Sequence, residues 1–400
     1  MKYLFSLLFC ILLLISCGKD DAKIASEPEL IWSSLLKGDT LAASINPIIY
    51  GNIALHTQII VGEPYTPFIA FDKNTGERLW TWSDFSGDYE SIGSASTGVV
   101  HKDNIFVFST GIRVYAIDLS TGQTLWRTWD DNLLGDGDMT SCGDLIFHIE
   151  LKSDRSEYYL KVANIHTGNW ETIYTTIADD DYIPLFDPPT YYIDDSGDTL
   201  LYFTNNRYNF QLQKGHPELI CYNLTQREIV YEKDISSPTY GYGIFRPPLI
   251  YNGKIYLHVG PVVYCYSIET KQEIWSTRLD DNVGSISFIL EEDRLYVGIE
   301  GMNPQLYALN PETGRQIWKI KSSGTSSKMQ YYNGVIYFNG GGNGLLHALN
   351  AQTGEYIWQY SSPDLKHNSG AWFDSAISID KATGRIYTSN YLNALCFEAM

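Results

Sequence analysis

The sequence is poor in basic residues. Its 400 residues include 28 lysines and arginines against 47 aspartates and glutamates, a formal net charge of −19. Nucleic acids are bound by clustered Lys and Arg, and anionic lipid headgroups attract basic segments. The charge therefore argues against a nucleic-acid partner and against electrostatic docking on a membrane. A hydrophobic content of 44% in turn excludes wholesale disorder.

Cysteine and histidine are also scarce, and their spacing carries no catalytic or metal motif. The six cysteines include no adjacent pair and no Cys-x-x-Cys, and the eight histidines include no His-x-x-x-His. We therefore expect no zinc site and name no catalytic residue. We expect Cys142, Cys221, Cys265 and Cys396 to be inert structural thiols.

Long hydrophobic runs are confined to the amino terminus. Lys2 precedes 13 residues, 3–15, that are apolar except for Ser6. This run is shorter than the ~20 residues that span a bilayer, and its layout is that of a secretory signal. The run closes with Leu-Ile-Ser-Cys17, which resembles a bacterial lipobox, so we expect residues 1–16 to be a lipoprotein signal peptide and Cys17 to be lipidated. The alternative is an ordinary signal peptide with a chance cysteine.

Residues 17–28 form a polar tether after the predicted anchor. The stretch Cys-x-Lys-Asp-Asp at its start resembles the acidic signal that exports some lipoproteins to the outer face of the outer membrane. We therefore expect an outer-membrane lipoprotein that is exposed at the cell surface. A plain spacer on a lipoprotein that faces the periplasm is the alternative.

An internal repeat dominates the remainder, residues 29–400. The pattern Ala-x-Asp/Asn-x-x-Thr-Gly-x-x-x-Trp has four strong copies, at 70–80, 116–126, 308–318 and 348–358. Weaker copies occupy 221–231 and 265–275, and a degenerate copy at 162–174 has two extra residues before its aromatic. Successive aromatics are 46, 48, 57, 44, 43 and 40 residues apart.

Each copy predicts a β-hairpin. Apolar and polar residues alternate on both sides of a break at Asp/Asn-x-x-Thr-Gly, in which Asp or Asn accepts backbone hydrogen bonds and Gly supplies a positive φ. A second predicted strand pair precedes each hairpin, so a unit is a four-stranded antiparallel sheet. Because such a sheet has two apolar faces, the units must stack on one another. Stacked four-stranded units predict an all-β propeller.

The repeat resembles that of the PQQ-like β-propeller family. The resemblance implies that the repeated aromatic docks on the neighbouring blade, and it assigns this role to Trp32, Trp80, Trp126, Tyr231, Trp275, Trp318 and Trp358. The strand around Trp32 lacks a partner, as does the last strand around Ala394, and pairing them would leave no open sheet edge. We therefore predict an eight-bladed β-propeller closed by its two termini, with seven blades as the alternative if the degenerate copy is misread.

Two branches of this superfamily bear on function. Quinoprotein dehydrogenases hold PQQ and Ca²⁺ on the propeller axis, but many of them carry a vicinal cysteine pair that is missing here, and none of their site residues can be placed on this chain. The closer architectural resemblance is to the BamB-type lipoproteins of outer-membrane protein assembly. This resemblance implies a non-catalytic scaffold that binds a partner through its loops.

The connections between blades are the candidate ligand face. They are rich in aromatic and acidic residues, which suit a glycan or a basic protein surface. The residues that we select are Trp82, Tyr89, Trp129, Asp131, Tyr182, Tyr208, Tyr242, Arg246 and Trp372. Asp130, Asp136 and Asp138 offer a second, weaker possibility, a Ca²⁺ site, although their spacing is not that of an EF-hand.

The sequence thus predicts a monomeric, lipid-anchored binding propeller with a protein or glycan partner, no nucleic-acid partner and no cofactor. The alternatives are a quinoprotein-like oxidoreductase that uses PQQ and Ca²⁺, and a glycan-binding or glycan-active surface protein.

Overall fold

The protein is described here from a computed structural model. The structure describes residues 27–36, 46–57, 68–85, 99–110, 113–129, 133–179, 181–209, 211–212, 214–235, 247–280, 285–300, 303–324, 329–341, 343–367, 370–373 and 376–400. The predicted signal peptide, Cys17 and most of the tether lie outside these ranges.

The first four blades follow the opening strand β1 (Leu30–Leu35). Blade 1 comprises β2 (Ile48–Tyr50), β3 (Ile53–Thr57), β4 (Phe68–Asp72) and β5 (Arg78–Trp82). Blade 2 comprises β6 (Val99–Lys102), β7 (Ile105–Ser109), β8 (Arg113–Asp118) and β9 (Thr124–Trp129). Blade 3 comprises β10 (Leu133–Cys142), β11 (Leu145–Lys152), β12 (Glu157–Asn164) and β13 (Trp170–Ile177). Blade 4 has five strands, β14 (Ile183–Phe186), β15 (Thr190–Ile193), β16 (Thr199–Asn209), β17 (Lys214–Asn223) and β18 (Glu228–Asp234).

The last four blades complete the ring. Blade 5 comprises β19 (Leu249–Tyr251), β20 (Lys254–Val259), β21 (Val262–Ser267) and β22 (Glu273–Arg278). Blade 6 comprises β23 (Ser285–Glu291), β24 (Arg294–Glu300), β25 (Gln305–Leu309) and β26 (Gln316–Lys321). Blade 7 comprises β27 (Gln330–Tyr332), β28 (Val335–Asn339), β29 (Leu345–Asn350) and β30 (Tyr356–Ser361), and a 3₁₀ helix (Pro363–Lys366) follows it. Blade 8 comprises β31 (Ser378–Asp380), β32 (Arg385–Ser389) and β33 (Asn393–Glu398), and β1 adds its fourth strand.

The termini close the ring as predicted. β1 pairs antiparallel with β33, with Ser34 opposite Ala394 and Trp32 opposite Cys396. The degenerate copy is a true blade, because Leu160 faces Tyr174 just as Ala70 faces Trp80 in blade 1. The prediction of an all-β, eight-bladed propeller of four-stranded blades is confirmed, with an extra inner strand in blade 4.

The repeated turns follow the expected chemistry. In blade 1, Asp72 Oδ1 accepts hydrogen bonds from the backbone amides of Asn74 and Thr75, at 2.9 and 3.0 Å. Gly76 closes the turn at φ +73° and donates its amide to Asp72 O at 2.8 Å. Asn310 and Asn350 make the same pair of contacts in blades 6 and 7. In these turns the side-chain oxygen of Asp or Asn accepts hydrogen bonds from backbone amides that would otherwise lack an acceptor.

The hydrophobic core lies between blades. Each cluster joins the facing sides of two neighbouring sheets, as where Tyr256 and Val263 of blade 5 pack with Leu295 and Val297 of blade 6. The docking indoles lie at the end of these interfaces where the Asp/Asn turns are, and each packs against the turn glycine of the next blade. A Cβ added to Gly76, Gly122, Gly168, Gly314 or Gly354 would lie 2.5–2.9 Å from the ring of Trp32, Trp80, Trp126, Trp275 or Trp318 respectively. Only glycine leaves room for that contact.

A backbone carbonyl fixes most of these indoles. The Nε1–H of Trp318 donates to Ala351 O at 3.0 Å, and the hydroxyl of Tyr296 from the same blade donates to the same oxygen at 3.2 Å. Equivalent bonds lead from Trp32 to Lys73 O, from Trp126 to Ile165 O and from Trp275 to Pro311 O. Trp358 instead donates to Met400 Sδ at 3.2 Å, and Tyr231 lies 6.2 Å from Tyr202 with the Lys271 ammonium 4.9 Å from its ring.

Candidate functional site

The two faces of the propeller carry different connections. Because neighbouring strands are antiparallel, the Asp/Asn turns that join the third and fourth strands all lie on one face, which we call the lower face. The turns between the second and third strands and the connections between blades lie on the opposite, upper face. The candidate ligand residues were selected from the connections between blades, so we expect them on the upper face. Loops on a rigid scaffold commonly carry binding residues.

Among the described strand pairs that reach the upper face, the hairpin of β16 and β17 is the longest. It extends pairing as far as Asn209 and Lys214, and the inner strand β14 pairs with its upper part, with Ile183 opposite Tyr208. This accounts for the 57-residue spacing in the sequence. The hairpin therefore raises a three-stranded ledge on the upper face of blade 4.

Side chains on this ledge form a compact polar and aromatic group, which we call the rim cluster: Asp179, Tyr182, Arg207 and His216. The guanidinium of Arg207 pairs with Asp179 at 2.5 Å and lies 5.6 Å from the centre of the Tyr182 ring. His216 meets the same ring edge-on at 5.3 Å. Hydrogen bonds from the amides of Tyr182 and Asp181, together with Arg207, hold the pKa of Asp179 below its usual range. Arg207 and Asp179 are each nearly half exposed, so the cluster is ordered yet reachable.

Three of the predicted ligand residues lie near this face. Tyr182 belongs to the rim cluster, and Tyr208 stands beside it on β16 but is buried. Trp372 is 45% exposed, with its Cβ and indole against Gly344 in the upper turn of blade 7.

The structure places Trp82 elsewhere. Its indole is 2% exposed and lies between blades 1 and 2, so it is a core residue and not part of a ligand surface. The physical reason is that β5 continues past the docking position, which keeps Trp82 on the same side of the strand as Trp80.

The other selected residues cannot be located on the described surface. Tyr89, Asp131, Tyr242 and Arg246 fall outside the described residues, as does Asp130. Trp129 ends β9 and Asp136 and Asp138 belong to β10, but their side chains are outside the description.

Burial holds two cysteines and two histidines in their neutral forms. Burial raises the pKa of the Cys265 and Cys396 thiols to about 12, and it lowers the pKa of His56 to about 3 and of His347 to about 4. Thiols and imidazoles with such values stay neutral at pH 7. Within the described ranges no three His, Cys, Asp or Glu side chains come together as metal ligands.

Blade 3 contains a cleft that the sequence did not predict. It has a volume of about 590 Å³ and is lined by Leu133, Lys152, Ser153, Asp154, Tyr159, Lys161 and Thr172. Its charges are brought together by cross-strand pairing, with Glu150 opposite Tyr159. The only sequence signal was a polar residue at every second position of 157–161.

A second cavity is apolar. It measures about 320 Å³ and lies among the inner strands of blades 5, 6 and 7, where Leu249, Phe288, Ile289 and Met329 line it.

No helix in the described part of the chain is long and apolar enough to cross a bilayer.

Comparison with known proteins places this architecture in a family. The sequence profile described as outer membrane protein assembly factor BamB matches residues 22–129 and 259–382, more than half of the chain. The crystal structure of BamB from Moraxella catarrhalis superposes with a TM-score of 0.59 at 12% identity, over 93% of this chain and 100% of that one. Sqt1 from Saccharomyces cerevisiae superposes with a TM-score of 0.63 at 9% identity, over 94% of this chain and 100% of that one. At these identities both likenesses concern the fold.

One curated relative is a dehydrogenase. The 1-butanol dehydrogenase (cytochrome c) of Thauera butanivorans is 31% identical over 119 residues. The matched segment covers 28% of this chain and 16% of the dehydrogenase. This chain therefore matches less than one fifth of that protein's length.

Proposed function

Since the chain belongs to the family of the outer membrane protein assembly factor BamB, we propose that it is a non-catalytic binding propeller of the bacterial outer membrane. Cys17 carries the lipid anchor, and residues 18–28 hold the propeller away from the bilayer. Because acyl chains contribute ~0.8 kcal/mol per buried CH₂, a multiply acylated cysteine keeps the domain attached without any spanning helix. The stretch Cys-x-Lys-Asp-Asp at the start of the tether favours display at the cell surface.

The observation that carries this proposal is the rim cluster on its raised hairpin. Arg207 and His216 on the paired strands β16 and β17 meet Asp179 and Tyr182, which lie in the connection between blades 3 and 4, at one edge of the upper face. Arginine and tyrosine are enriched where proteins bind each other, since both combine a flat apolar surface with directional hydrogen bonds. The partner is a protein or a glycan that docks on this face, reached also by Trp372 and by the inter-blade loops.

Site-specific photo-crosslinking in intact cells tests the upper face. A photoreactive phenylalanine analogue at Tyr182 or Trp372 should give a discrete adduct, which Arg207→Ala should weaken. The analogue at Glu77, an exposed position in a lower turn, is the control and should give none. Equal adducts from all three positions, or none from any, would overturn the role of the upper face.

The anchor and its membrane face need separate measurements. Cys17→Ser should abolish labelling by radioactive palmitate and release the protein from the membrane fraction. Protease added to whole cells should digest the wild-type propeller if it is displayed outside. Protection in whole cells combined with digestion after outer-membrane rupture would instead place it on the periplasmic side.

The match to the 1-butanol dehydrogenase supports a second candidate, a quinoprotein-like oxidoreductase. Purified protein with PQQ and Ca²⁺ should then show a rise in melting temperature and reduce an artificial electron acceptor when an alcohol or a sugar is present. No cofactor-dependent change in either measurement would reject this candidate.

A further inference from the structure

The upper half of blade 3 differs from the interfaces around it. On the side of blade 4, Phe147, Ile149 and Leu160 pack into one apolar cluster with Leu201 and Phe203. On the side of blade 2, apolar packing includes only the lower residues of the sheet, such as Met139, Ile146 and Ala163. Above them the same sheet face presents Glu150, Lys152, Glu157, Tyr159 and Lys161, and the 590 Å³ cleft opens there.

The charges in this cleft are held in fixed pairs. Lys161 Nζ lies 2.5 Å from Glu150 Oε2, and these side chains are only 15% and 13% exposed. Lys152 pairs with Glu157, whose second oxygen accepts a hydrogen bond from the Tyr159 hydroxyl at 2.8 Å. Long charged side chains that already have partners lose little further conformational entropy when a ligand arrives. The cleft is therefore organised before binding.

The paired groups retain hydrogen-bonding capacity. An ammonium has three donors and a carboxylate about four acceptor sites, so one ion pair leaves several positions for a ligand. Glu150 Oε2 is buried 2.5 Å from Lys161 Nζ, and of the two residues it is Lys161 that lines the cleft, so the remaining donors of this ammonium face the ligand space. The hydroxyls of Ser153, Tyr159 and Thr172 add further donors and acceptors at the wall.

The balance of charge narrows the ligand class. Both lysines that line the cleft have a carboxylate partner, so neither offers an uncompensated positive charge to an anion. Asp154 Oδ1 accepts hydrogen bonds from the amide and hydroxyl of Ser156 in its own turn, at 2.9 and 2.6 Å. Among the described lining residues, Leu133 is the one large aliphatic side chain, whereas a protein partner would seek an apolar anchor. The cleft thus offers hydrogen-bond donors and acceptors without a free positive charge or a large apolar anchor. Adjacent hydroxyl groups of a ligand, which both donate and accept hydrogen bonds, match this combination.

We propose that this cleft binds a neutral, polyhydroxylated ligand, that is, one or a few residues of an uncharged saccharide. Its volume falls within the range of about 300–1,000 Å³ of small-molecule sites. Lys161, held in place by Glu150, contacts vicinal hydroxyls, and Tyr159 and Thr172 orient the ring from the wall. This site is separate from the rim cluster and does not depend on the partner proposed there.

Isothermal titration of the propeller with maltohexaose, cellohexaose, xylohexaose and mannohexaose tests the proposal. At least one of these should bind, and Lys161→Met should weaken it about tenfold or more because a charged hydrogen-bonding group is lost. Lys254→Met is the matched control, since Lys254 is 17% exposed and also ion-paired, with Glu312 on a different blade. Lys254→Met should leave saccharide binding unchanged. Photo-crosslinking at the upper face is a separate readout, so failure here is distinguishable from failure of the upper-face proposal.

Two milder variants protect the test against unfolding, because Lys161→Met leaves Glu150 without its partner. Tyr159→Phe and Thr172→Val each remove one hydroxyl and should weaken binding several-fold with an unchanged melting temperature. The proposal is overturned if none of the four oligosaccharides binds the wild type, if the cleft variants bind as tightly as the wild type, or if an oligogalacturonate binds while the neutral sugars do not.

Discussion

Blade 1 is held by different means on its two sides. Towards blade 8, the Trp32 indole and the Tyr387 hydroxyl both donate to Lys73 O, at 2.9 and 3.2 Å. The Lys73 ammonium continues to Asp380 at 2.7 Å. Towards blade 2, the Trp80 indole lies on Gly122, but its buried Nε1–H has no hydrogen-bond partner.

Aromatic packing takes the place of that hydrogen bond. Trp82 meets Phe85, Phe108 and Tyr115 at ring-centre distances of 4.7–5.3 Å, and Phe68 lies 4.5 Å from Phe108. The Trp82 Nε1–H donates to Thr124 Oγ1 at 2.9 Å. The same repeat therefore tolerates two solutions. One is the indole-to-carbonyl hydrogen bond, made where the chain ends meet as it is at Trp126, Trp275 and Trp318. The other, between blades 1 and 2, is mainly aromatic packing, and we call these two the polar side and the apolar side of blade 1.

Trp82→Ala tests the apolar side and should have the largest effect. Removing a 2% exposed indole from the centre of the cluster should lower the free energy of unfolding by about 3–5 kcal/mol. Chemical denaturation followed by tryptophan fluorescence measures the loss. Trp372→Ala, at a 45% exposed site, is the control and should stay within about 0.5 kcal/mol. Equal losses would mean that the cluster does not hold blades 1 and 2 together.

The two sides of blade 1 also show which features could be predicted from the sequence and which could not. The turn residues and docking aromatics recur in most blades, so their spacing fixed the blade count and the closure by β1. Trp82 was misplaced because the repeat ends two residues earlier, at Trp80. The missed signal was the spacing of two between Trp80 and Trp82 on β5, which recurs between Phe106 and Phe108 on β7 of the facing blade. The cleft in blade 3 could not be predicted, because its lysine–carboxylate pairs depend on strand register across two hairpin strands.

Acidification tests the polar side. His56 lies between Trp32 and Phe71, with ring-centre distances of 6.5 and 5.8 Å, and burial lowers its pKa to about 3. In the unfolded chain His56 binds a proton near pH 6.5, whereas in the folded chain it stays neutral down to about pH 3. The free energy of unfolding is therefore unaffected by His56 above pH 6.5, and it falls as the pH drops from 6.5 towards 3. At pH 4 the loss from His56 is on the order of 3 kcal/mol.

The measurement is the melting temperature between pH 7 and pH 4. His56→Phe keeps an aromatic ring in the site and should flatten the decline relative to the wild type, whereas His166→Phe, at an exposed histidine of blade 3, should not. A decline of equal slope in wild type and His56→Phe would show that this imidazole is not the acid-sensitive group of the junction.

Gly122→Ala tests whether the Trp80 contact still matters without its hydrogen bond. The added Cβ would lie 2.6 Å from the indole, so overpacking should cost about 1–3 kcal/mol more than the backbone strain alone. Gly253→Ala supplies that baseline, because its φ is +68° against +69° and nothing lies within 4 Å of the new Cβ. Denaturation midpoints of the two variants give the difference directly. Identical midpoints would mean that the Trp80 indole can move away from the added methyl group without loss of stability.

The smallest effect separates the two indole N–H groups themselves. Trp32→Phe and Trp80→Phe both shorten a docking aromatic, so both lose packing. Trp32→Phe also breaks the hydrogen bond to Lys73 O, and it should therefore cost about 1 kcal/mol more. Trp80→Phe removes a buried donor that had no partner, which offsets part of its packing loss. If denaturant titration finds Trp80→Phe the costlier variant, aromatic area and not the shared carbonyl governs both sides of blade 1.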